Sequence, residues 1–440
     1  MTATSWPHSS RSISFFTAWR TARRRIFVAA ALASLVSATG VPAAPSVPVQ
    51  TSGADWPQIL GPARNASTTT TVAVWPQGGP EIRWREPIGE GFAGPAVVGN
   101  RLILFHRVAD EEVVEARDTA TGATMWRTGY PTTYRDDFGF DEGPRATPTI
   151  SDGTVFTFGA QGILQALDLE TGELAWRHDT HDEFGVRKGF FGAASAPLVH
   201  DGIVMVNVGG TDGAGIVGFD AAGGAVLWTA TDDEASSSAP VMATLGSRET
   251  ALFFTRAGLV ALEPRTGETF ARFPWRSRSG SSVNAATPLL IDGRVFISAS
   301  YGTGAALLDV GTTTFRPVWS SDEALTNHYA TSVYTDGYLY GYHGRQEYSP
   351  AFRAVEAATG EPAWSEERFG GGTVILAGDR LLILRERGEL ILAEATPAAF
   401  RPLARAQVLG GIIRAYPALA DGALFARNER ELVAVELPSR

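Results

Sequence analysis

Cysteine is absent from this 440-residue chain, and lysine occurs once, at Lys188. Without cysteine the chain has no disulfide, which a core of this size does not need, and no Cys-x-x-Cys-His motif that would attach a c-type haem. For the same reason we expect no lipid anchor on an N-terminal cysteine. The formal net charge of −10 argues against a nucleic-acid partner, because phosphate binding requires a basic face.

The sequence also lacks an apolar run that would span a bilayer near its start. The run Ile26–Val36 is too short, but it follows Arg23–Arg25 and precedes the small-residue site Val41–Ala43, an order typical of signal peptides. We therefore predict a signal peptide over residues 1–43, of either the twin-arginine or the plain secretory type, and a linker over residues 44–55. The mature chain is then expected in the periplasm or outside the cell, with no transmembrane segment.

No recognised catalytic motif occurs in the chain: Gly-x-Ser-x-Gly, His-Glu-x-x-His and a phosphate-binding Gly-Lys loop are all missing. Residues 178–183 read His-Asp-Thr-His-Asp-Glu, which are metal-ligand residue types. A loop, however, has no helix that would align both histidine rings on one ion. We interpret this segment as a solvated acidic loop and predict no metal site.

The sequence does contain one pattern that is repeated eight times. In the copy Ala146–Arg177 a proline anchor is followed by an Asp-Gly turn, two alternating apolar runs, a Thr-Gly-Glu turn and a tryptophan. A fixed period of this kind identifies the architecture before individual residues do. The anchors recur at spacings of 42 to 53 residues, at Pro95, Pro148, Pro197, Pro240, Pro288, Ser332, Val374 and Pro417.

Each copy predicts four short antiparallel strands. Runs such as Val155–Phe158 alternate and are rich in β-branched and aromatic residues, and Asp-Gly supplies the positive φ angles of a tight hairpin. Four such strands describe a propeller blade, so we predict an all-β, eight-bladed propeller over residues 56–440. The last copy stops after three strands, and an N-terminal strand near Trp84 should complete it and close the ring. Seven blades is the alternative, in case the weak copy near Val374 is misread.

The Ala/Ser-x-Pro, Asp-Gly, Leu-Asp-x-x-Thr-Gly-Glu and Trp pattern resembles the propeller repeat of the pyrroloquinoline-quinone (PQQ) type, over about residues 56–437. That group includes quinoprotein alcohol dehydrogenases and the B subunit of the outer-membrane barrel assembly machinery. For the enzymes, the resemblance implies a quinone stacked on a tryptophan and held to calcium by acidic and amide side chains. Their adjacent cysteine pair is absent here, and the tryptophans recur at one structural position, which indicates blade packing. PQQ with calcium is therefore kept as an alternative cofactor assignment.

Function is expected at the face that carries the long loops. The Asp-Gly and Thr-Gly-Glu turns of the opposite face are tight, and long loops on a rigid frame more often carry function. Residues just before each anchor should ring the mouth of the central channel, where arginines suit an anionic or hydroxylated ligand unless they pair with loop acids such as Asp137 or Glu142. Together with one neighbouring hairpin loop, these positions give the predicted ligand-binding residues: Arg145, Asn284, His328, Tyr329, His343, Arg345 and Arg414.

The sequence thus predicts an exported, monomeric, non-catalytic propeller that binds a protein, peptide or glycan through its long-loop face or serves as an assembly scaffold. The alternative is a PQQ-dependent dehydrogenase that oxidises an alcohol or sugar at the central funnel. For neither function does the sequence identify a catalytic residue.

Overall fold

Each sequence repeat folds into one antiparallel sheet, and the described residues form eight such sheets around a common axis. The structure is a computed structural model that describes residues 55–187, 189, 191–280 and 282–439. The predicted signal peptide, Lys188 and all of the predicted linker except Asp55 lie outside these residues. Within them, no helix has the length and apolar character needed to cross a membrane.

The blades are numbered in the order of their inner strands, and the strands of each blade follow one another from the axis outward. Blade 1 consists of Ala96–Val98, Arg101–Val108, Glu111–Asp118 and Thr124–Pro131. Blade 2 consists of Thr149–Ser151, Thr154–Phe158, Ile163–Asp168 and Leu174–Asp179. Blade 3 consists of Leu198–His200, Ile203–Val206, Ile216–Asp220 and Val226–Ala230. Blade 4 consists of Val241–Leu245, Arg248–Thr255, Gly258–Leu262 and Thr269–Pro274.

The second half of the ring repeats the same order. Blade 5 consists of Leu289–Ile291, Arg294–Ala299, Gly304–Val310 and Phe315–Ser321. Blade 6 consists of Val333–Thr335, Tyr338–His343, Ala351–Glu356 and Pro362–Glu366. Blade 7 consists of Gly372–Ala377, Arg380–Arg385, Glu389–Glu394 and Pro402–Gln407. Blade 8 consists of Ala418–Ala420, Ala423–Arg427, Glu431–Glu436 and Ile82–Pro87. One α-helical turn, Thr180–Glu183, and one 3₁₀ turn, Gln346–Tyr348, lie in loops.

An N-terminal strand closes the ring, as predicted. Ile82–Pro87 is the outer strand of blade 8 and pairs antiparallel with Glu431–Glu436, with Trp84 opposite Ala434. Ion pairs between Arg83 and Glu436 and between Arg85 and Glu431 follow the same seam. The weak copy near Val374 forms the complete blade 7, so the prediction of eight blades is confirmed and the seven-blade alternative is wrong.

The repeated tryptophans hold neighbouring blades together. Each one donates its indole N–H to a backbone carbonyl of the next blade, and in five of the six seams the glycine of that blade's second turn lies against the indole; at Trp364 the neighbouring ring is Phe400 instead. At Gly172 (φ +72°), for example, a Cβ would lie 2.4 Å from Trp126, so only glycine fits there. The donor–acceptor distances are 2.9–3.1 Å for Trp84–Thr119, Trp126–Leu169, Trp176–Ala221, Trp228–Pro264, Trp319–Ala357 and Trp364–Thr396. These contacts confirm that the tryptophans serve blade packing.

Residues 55–73, which we call the axial segment, lie among the inner strands at the centre of the propeller. The segment starts beside blade 1, where Trp56 and Val97 exchange two backbone hydrogen bonds of 2.8 Å. It then crosses to blade 7, where Ser67–Thr68 pairs in parallel with the inner strand Gly372–Ala377. The axial segment therefore fills the centre of the ring, a role that the repeat pattern did not predict.

One buried arginine fastens the axial segment to three blades. Arg64 is only 3% exposed, and its Nη1 donates to Pro240 O at 2.8 Å while its Nη2 donates to Thr149 Oγ1 at 3.2 Å and to Pro197 O. Its Nε donates to Gln58 Oε1 at 2.7 Å. Burial lowers the pKa of Arg64 to about 9, which still leaves the guanidinium charged at neutral pH.

Candidate functional site

The long-loop face carries a cup at the propeller axis. The cup has a volume of about 200 Å³ and is lined by the residues that precede the inner strands of most blades. Ile59 of the axial segment also lines it, so the central channel ends in a closed base. Aromatic rings supply much of the wall: Phe92, Phe140, Phe191, Tyr301, Tyr329 and Tyr416.

Four of the seven predicted ligand-binding residues line the cup, and three do not. The four are Arg145, His328, Tyr329 and Arg414. Asn284 is 4% exposed and donates to Thr255 O (2.8 Å) and Trp275 O (3.0 Å), so it holds two loops together. Nδ1 of His343 lies 3.4 Å from Thr326 Oγ1, outside the cup. The Arg345 guanidinium lies 4.4 Å from the centre of the Tyr301 ring and pairs with Glu347 at 3.1 Å.

Arg145 is fully engaged by its own loop. Its Nη2 forms a 2.9 Å ion pair with Asp136 and donates to Asp141 O at 2.8 Å, while its Nη1 donates to Gly143 O at 2.8 Å. The guanidinium also lies 5.0 Å from the centre of the Tyr134 ring. A loop acid therefore pairs with Arg145, although it is Asp136 and not the two acids named from the sequence.

Arg414 is much less engaged. Its guanidinium lies 4.9 Å from the centre of the Phe140 ring and 5.4 Å from that of Phe92. Its Nε forms a loose ion pair with Glu386, 3.8 Å from Oε1, which is beyond hydrogen-bond distance. The buried Nε has no hydrogen-bond partner among the described residues. Arg414 is thus a cation that borders an aromatic cup and has unused donors.

The part of the wall that precedes blade 6 carries a neutral histidine in a hydrogen-bond chain. Nδ1 of His328 lies 2.6 Å from Gln346 Oε1, and Nε2 lies 3.0 Å from the Tyr301 hydroxyl. An amide oxygen only accepts, so Nδ1 carries the proton and Nε2 accepts from Tyr301. Burial lowers the pKa of His328, and the nearby Glu347 opposes this shift only in part. At neutral pH the imidazole is therefore uncharged and held in one tautomer.

Two tyrosines seal the wall beside Arg414. Tyr329 donates to Glu386 Oε1 at 2.8 Å, and burial raises the pKa of the Tyr329 hydroxyl well above its usual value. Tyr416 donates to Tyr329 O at 3.1 Å, and burial raises its pKa to about 12. Both hydroxyls are therefore neutral hydrogen-bond donors with protein acceptors.

Sequence reasoning missed the aromatic character of the mouth. Phe138 and Phe140 belong to the loop between blades 1 and 2 and are 48% and 50% exposed. Phe138 stacks on Phe140 with ring centres 6.0 Å apart and on Phe191 at 5.2 Å. The available signal was a pair of phenylalanines among loop acids, in a segment with no strand alternation.

The donor set of the cup does not fit PQQ with calcium. The repeated indoles donate to backbone carbonyls at the seams between blades, and among the described residues that line the cup there is no tryptophan. The two cup-side carboxylates are taken up by protein groups, since Glu386 accepts from Tyr329 and Glu347 pairs with Arg345. Among the described residues the one His/Asp/Glu group close enough to share an ion is His200, Asp201 and Glu249, which belongs to the Asp-Gly-turn face.

The acidic segment 178–183 is not the loop that its sequence predicted: His178 and Asp179 end the outer strand of blade 2, and Thr180–Glu183 forms a helical turn. Its histidines nevertheless do not converge on one point. Nδ1 of His178 lies 2.7 Å from Glu183 and its Nε2 lies 2.7 Å from Gly224 O, whereas the His181 ring packs over Gly162. The segment is therefore tied into the fold by its own contacts.

Comparison with protein families gives one match for the repeat region. The model described as outer membrane protein assembly factor BamB matches residues 109–364, more than half of the chain. The curated protein of that name from Shewanella oneidensis is 26% identical over 158 residues, which are 34% of this chain and 36% of the relative. The chain thus matches about a third of that relative's length.

Solved structures of two kinds share the fold. BamB from Moraxella catarrhalis superposes with a TM-score of 0.58 at 17% identity, over 82% of this chain and 98% of that one. A quinohemoprotein alcohol dehydrogenase from Pseudomonas putida HK5 superposes with a TM-score of 0.60 at 14% identity, over 88% and 81% of the two chains. At these identities the similarity concerns the fold alone.

Proposed function

The chain belongs to the family of the outer membrane protein assembly factor BamB, and from that premise we propose that it is a non-catalytic, protein-binding scaffold of the bacterial cell envelope. The cup on the long-loop face is the proposed contact site for the partner. The signal peptide predicted over residues 1–43 supports a periplasmic or extracellular location.

The observation that carries this proposal is the cluster of exposed aromatic rings at the cup. Phe138 and Phe140 are each about half exposed, although burial of such rings is strongly favourable. Exposed apolar groups gathered on a rigid frame are typical of interaction surfaces, and aromatic residues are enriched at the cores of protein interfaces. The cup therefore has the composition of a protein-binding site.

The polar groups of the cup favour binding over chemistry. A general base or acid must reach the proton it transfers, but His328 already has protein partners at both ring nitrogens. Arg145 and Tyr329 are likewise committed to carboxylates. These committed side chains, and the misfit of the donor set to PQQ and calcium, argue against the dehydrogenase alternative. Its remaining support is the shared fold.

The test of the scaffold proposal is site-specific photo-crosslinking in the source organism. A photoreactive phenylalanine analogue replaces Phe140 at the cup or, as the matched control, Leu290, which is 41% exposed next to the Asp292 turn on the opposite face. We expect adducts with envelope proteins from position 140 and few from position 290. Equal adduct patterns from both positions, or none from 140, would overturn the proposal.

The dehydrogenase alternative is tested separately on the purified mature chain. We expect PQQ with Ca²⁺ to leave the melting temperature unchanged and to give no dye reduction with alcohols or sugars. Dye reduction that is abolished by His328→Ala would reject the non-catalytic proposal, whatever the crosslinking result.

A further inference from the structure

We propose that the cup recognises an extended peptide segment in which a large apolar side chain lies beside an aspartate or glutamate. This inference rests on the proposed function and names the chemistry of the partner segment. The apolar side chain enters the cup, and the carboxylate pairs with Arg414.

The size and walls of the cup suit one large side chain. Its volume is about 200 Å³, whereas pockets for drug-sized ligands and cofactors have about 300–1,000 Å³. The rings of Phe92, Phe140 and Tyr301 face it, and Ile59 lines its base. A phenylalanine, tyrosine or leucine of a partner would bury its surface here against a base that is already in place.

The unused donors of Arg414 supply the preference for an acidic neighbour. A guanidinium has five N–H donors and binds a carboxylate in a bidentate manner. The Nε of Arg414 lies 3.8 Å from Glu386 Oε1, too far for a hydrogen bond. That carboxylate oxygen already accepts a 2.8 Å hydrogen bond from the Tyr329 hydroxyl. The rings of Phe92 and Phe140 beside the guanidinium hold it in place and reduce its contact with water, which strengthens a pair with an incoming carboxylate.

A groove next to the cup can hold the part of the peptide that continues beyond the apolar residue. A second cavity of about 440 Å³ shares Gln346 and Glu347 with the cup and lies between blades 6 and 7. Gly370 and Gly371 line it, with the side chains of Glu386 and Arg385 packed against them. Arg387, also on the groove, is exposed and offers a second cation to the segment.

The charge of the rest of the molecule sharpens this preference. The chain has a net charge of −10, so a peptide rich in acids is repelled by most of its surface. At the cup and the groove, Arg414 and Arg387 are cations that lie among the acids Glu347, Glu386 and Glu389. Recognition is therefore expected for a single carboxylate placed next to the apolar residue, and not for acidic peptides in general.

The test uses labelled peptides and the purified mature chain. The probe is a blocked hexapeptide, Gly-Ser-Phe-Asp-Gly-Ser, measured by fluorescence anisotropy at low and physiological salt. The comparison peptides replace Asp by Asn or Phe by Ala. We expect either replacement to weaken binding about tenfold, because each removes one of the two recognised groups.

Protein variants assign the effect to the cup. In Arg414→Met the Asp and Asn peptides should bind equally, whereas Arg294→Met, which removes an exposed arginine paired with Asp309, should keep the tenfold preference. If Arg414→Met lowers the melting temperature, Arg414→Lys keeps the charge without the fork and should retain a reduced preference. Equal binding of Asp and Asn peptides by the unmodified chain would overturn this inference.

The two proposals fail in different ways. Crosslinks from position 140 without a Phe-Asp preference would leave the scaffold proposal standing and reject the peptide chemistry. A glycan that binds at the cup while the peptides do not bind would reject the peptide chemistry as well. Loss of the crosslinks would reject the scaffold proposal itself.

Discussion

The role of the axial segment predicts that a substitution of Arg64 destabilises the whole ring. The substitution Arg64→Met keeps a long apolar stem in the axis and removes only the guanidinium. The lost hydrogen bonds are those to Pro240 O, Pro197 O, Thr149 Oγ1 and Gln58 Oε1. Three of these acceptors belong to blades 2, 3 and 4, so the substitution should loosen the centre of the ring and not one local loop.

The expected loss follows from the acceptors that remain. Pro197 O keeps the 2.7 Å bond from Thr149 Oγ1, whereas Pro240 O loses its arginine donor in a buried place. A hydrogen bond to a charged group contributes about 1.5–3 kcal/mol, and an orphaned buried carbonyl costs about 1–3 kcal/mol. Removal of a buried charge offsets part of this. We therefore expect Arg64→Met to lower the free energy of unfolding by about 2–4 kcal/mol.

The assay is urea unfolding of the mature chain followed by tryptophan fluorescence and far-UV circular dichroism. The matched control is Arg294→Met, an exposed arginine with an ion pair to Asp309, which should change the free energy of unfolding by less than about 1 kcal/mol. Equal effects of the two substitutions would refute the role given to the axial segment. Cooperative unfolding has to be retained for the comparison to hold.

Three further predictions concern the ring and its charges. A chain that starts at residue 88 loses Ile82–Pro87 and should not unfold cooperatively. One that starts at residue 76 lacks the axial segment but keeps the closing strand, and should retain a transition at a lower temperature than the mature chain; both are measured by calorimetry. Gly172→Ala should lower the free energy of unfolding by more than about 2 kcal/mol, because its Cβ would lie 2.4 Å from Trp126. Gly153→Ala has open space around its Cβ and should lose less, since only its φ of +75° is unfavourable for alanine. Burial raises the pKa of the Glu115 carboxyl, but the neighbouring His106 and Arg117 outweigh burial and lower this pKa to about 2. Its contribution is present above the unfolded-state value and lost as pH falls toward 2, so Glu115→Gln should reduce stability at pH 7 and flatten the acid limb of a pH series.

The ring could be predicted from the sequence because its determinants are local. Five copies place Asp-Gly four residues after the anchor, and in all five the structure has positive φ at both residues, as a tight hairpin requires: Asp152–Gly153, Asp201–Gly202, Asp292–Gly293, Asp336–Gly337 and Asp421–Gly422. The orphan strand near Trp84 followed from counting strands. Period and turn chemistry were therefore sufficient for blade number and closure.

The contents of the axis and the pairing at the mouth could not be predicted in this way. Arg64 reaches Pro240 across 176 residues, and nothing in the repeat indicates that a segment before the first blade returns to the centre. At the mouth, Asp136 and Asp137 are adjacent in sequence and either could pair with Arg145. Only the path of the folded loop determines that Asp136 forms the ion pair. Contacts of this kind depend on the assembled ring and carry no local signal.

The asymmetry of the cup follows from where the repeats differ. Eight identical copies would give a symmetric mouth of small residues, such as the Ala194, Ser237 and Ala285 that line part of it. The connections around blades 8, 1 and 2 instead supply Arg414 and aromatic rings, while those of blades 5 and 6 supply Tyr301 and the neutral His328. A ligand in the cup thus meets the Arg414 cation beside the aromatic rings, whereas near His328 it meets the Tyr301 hydroxyl and the carboxylate of Glu347, which is paired with Arg345. Such a mouth can orient a peptide, because a carboxylate is favoured on only one side of the apolar residue.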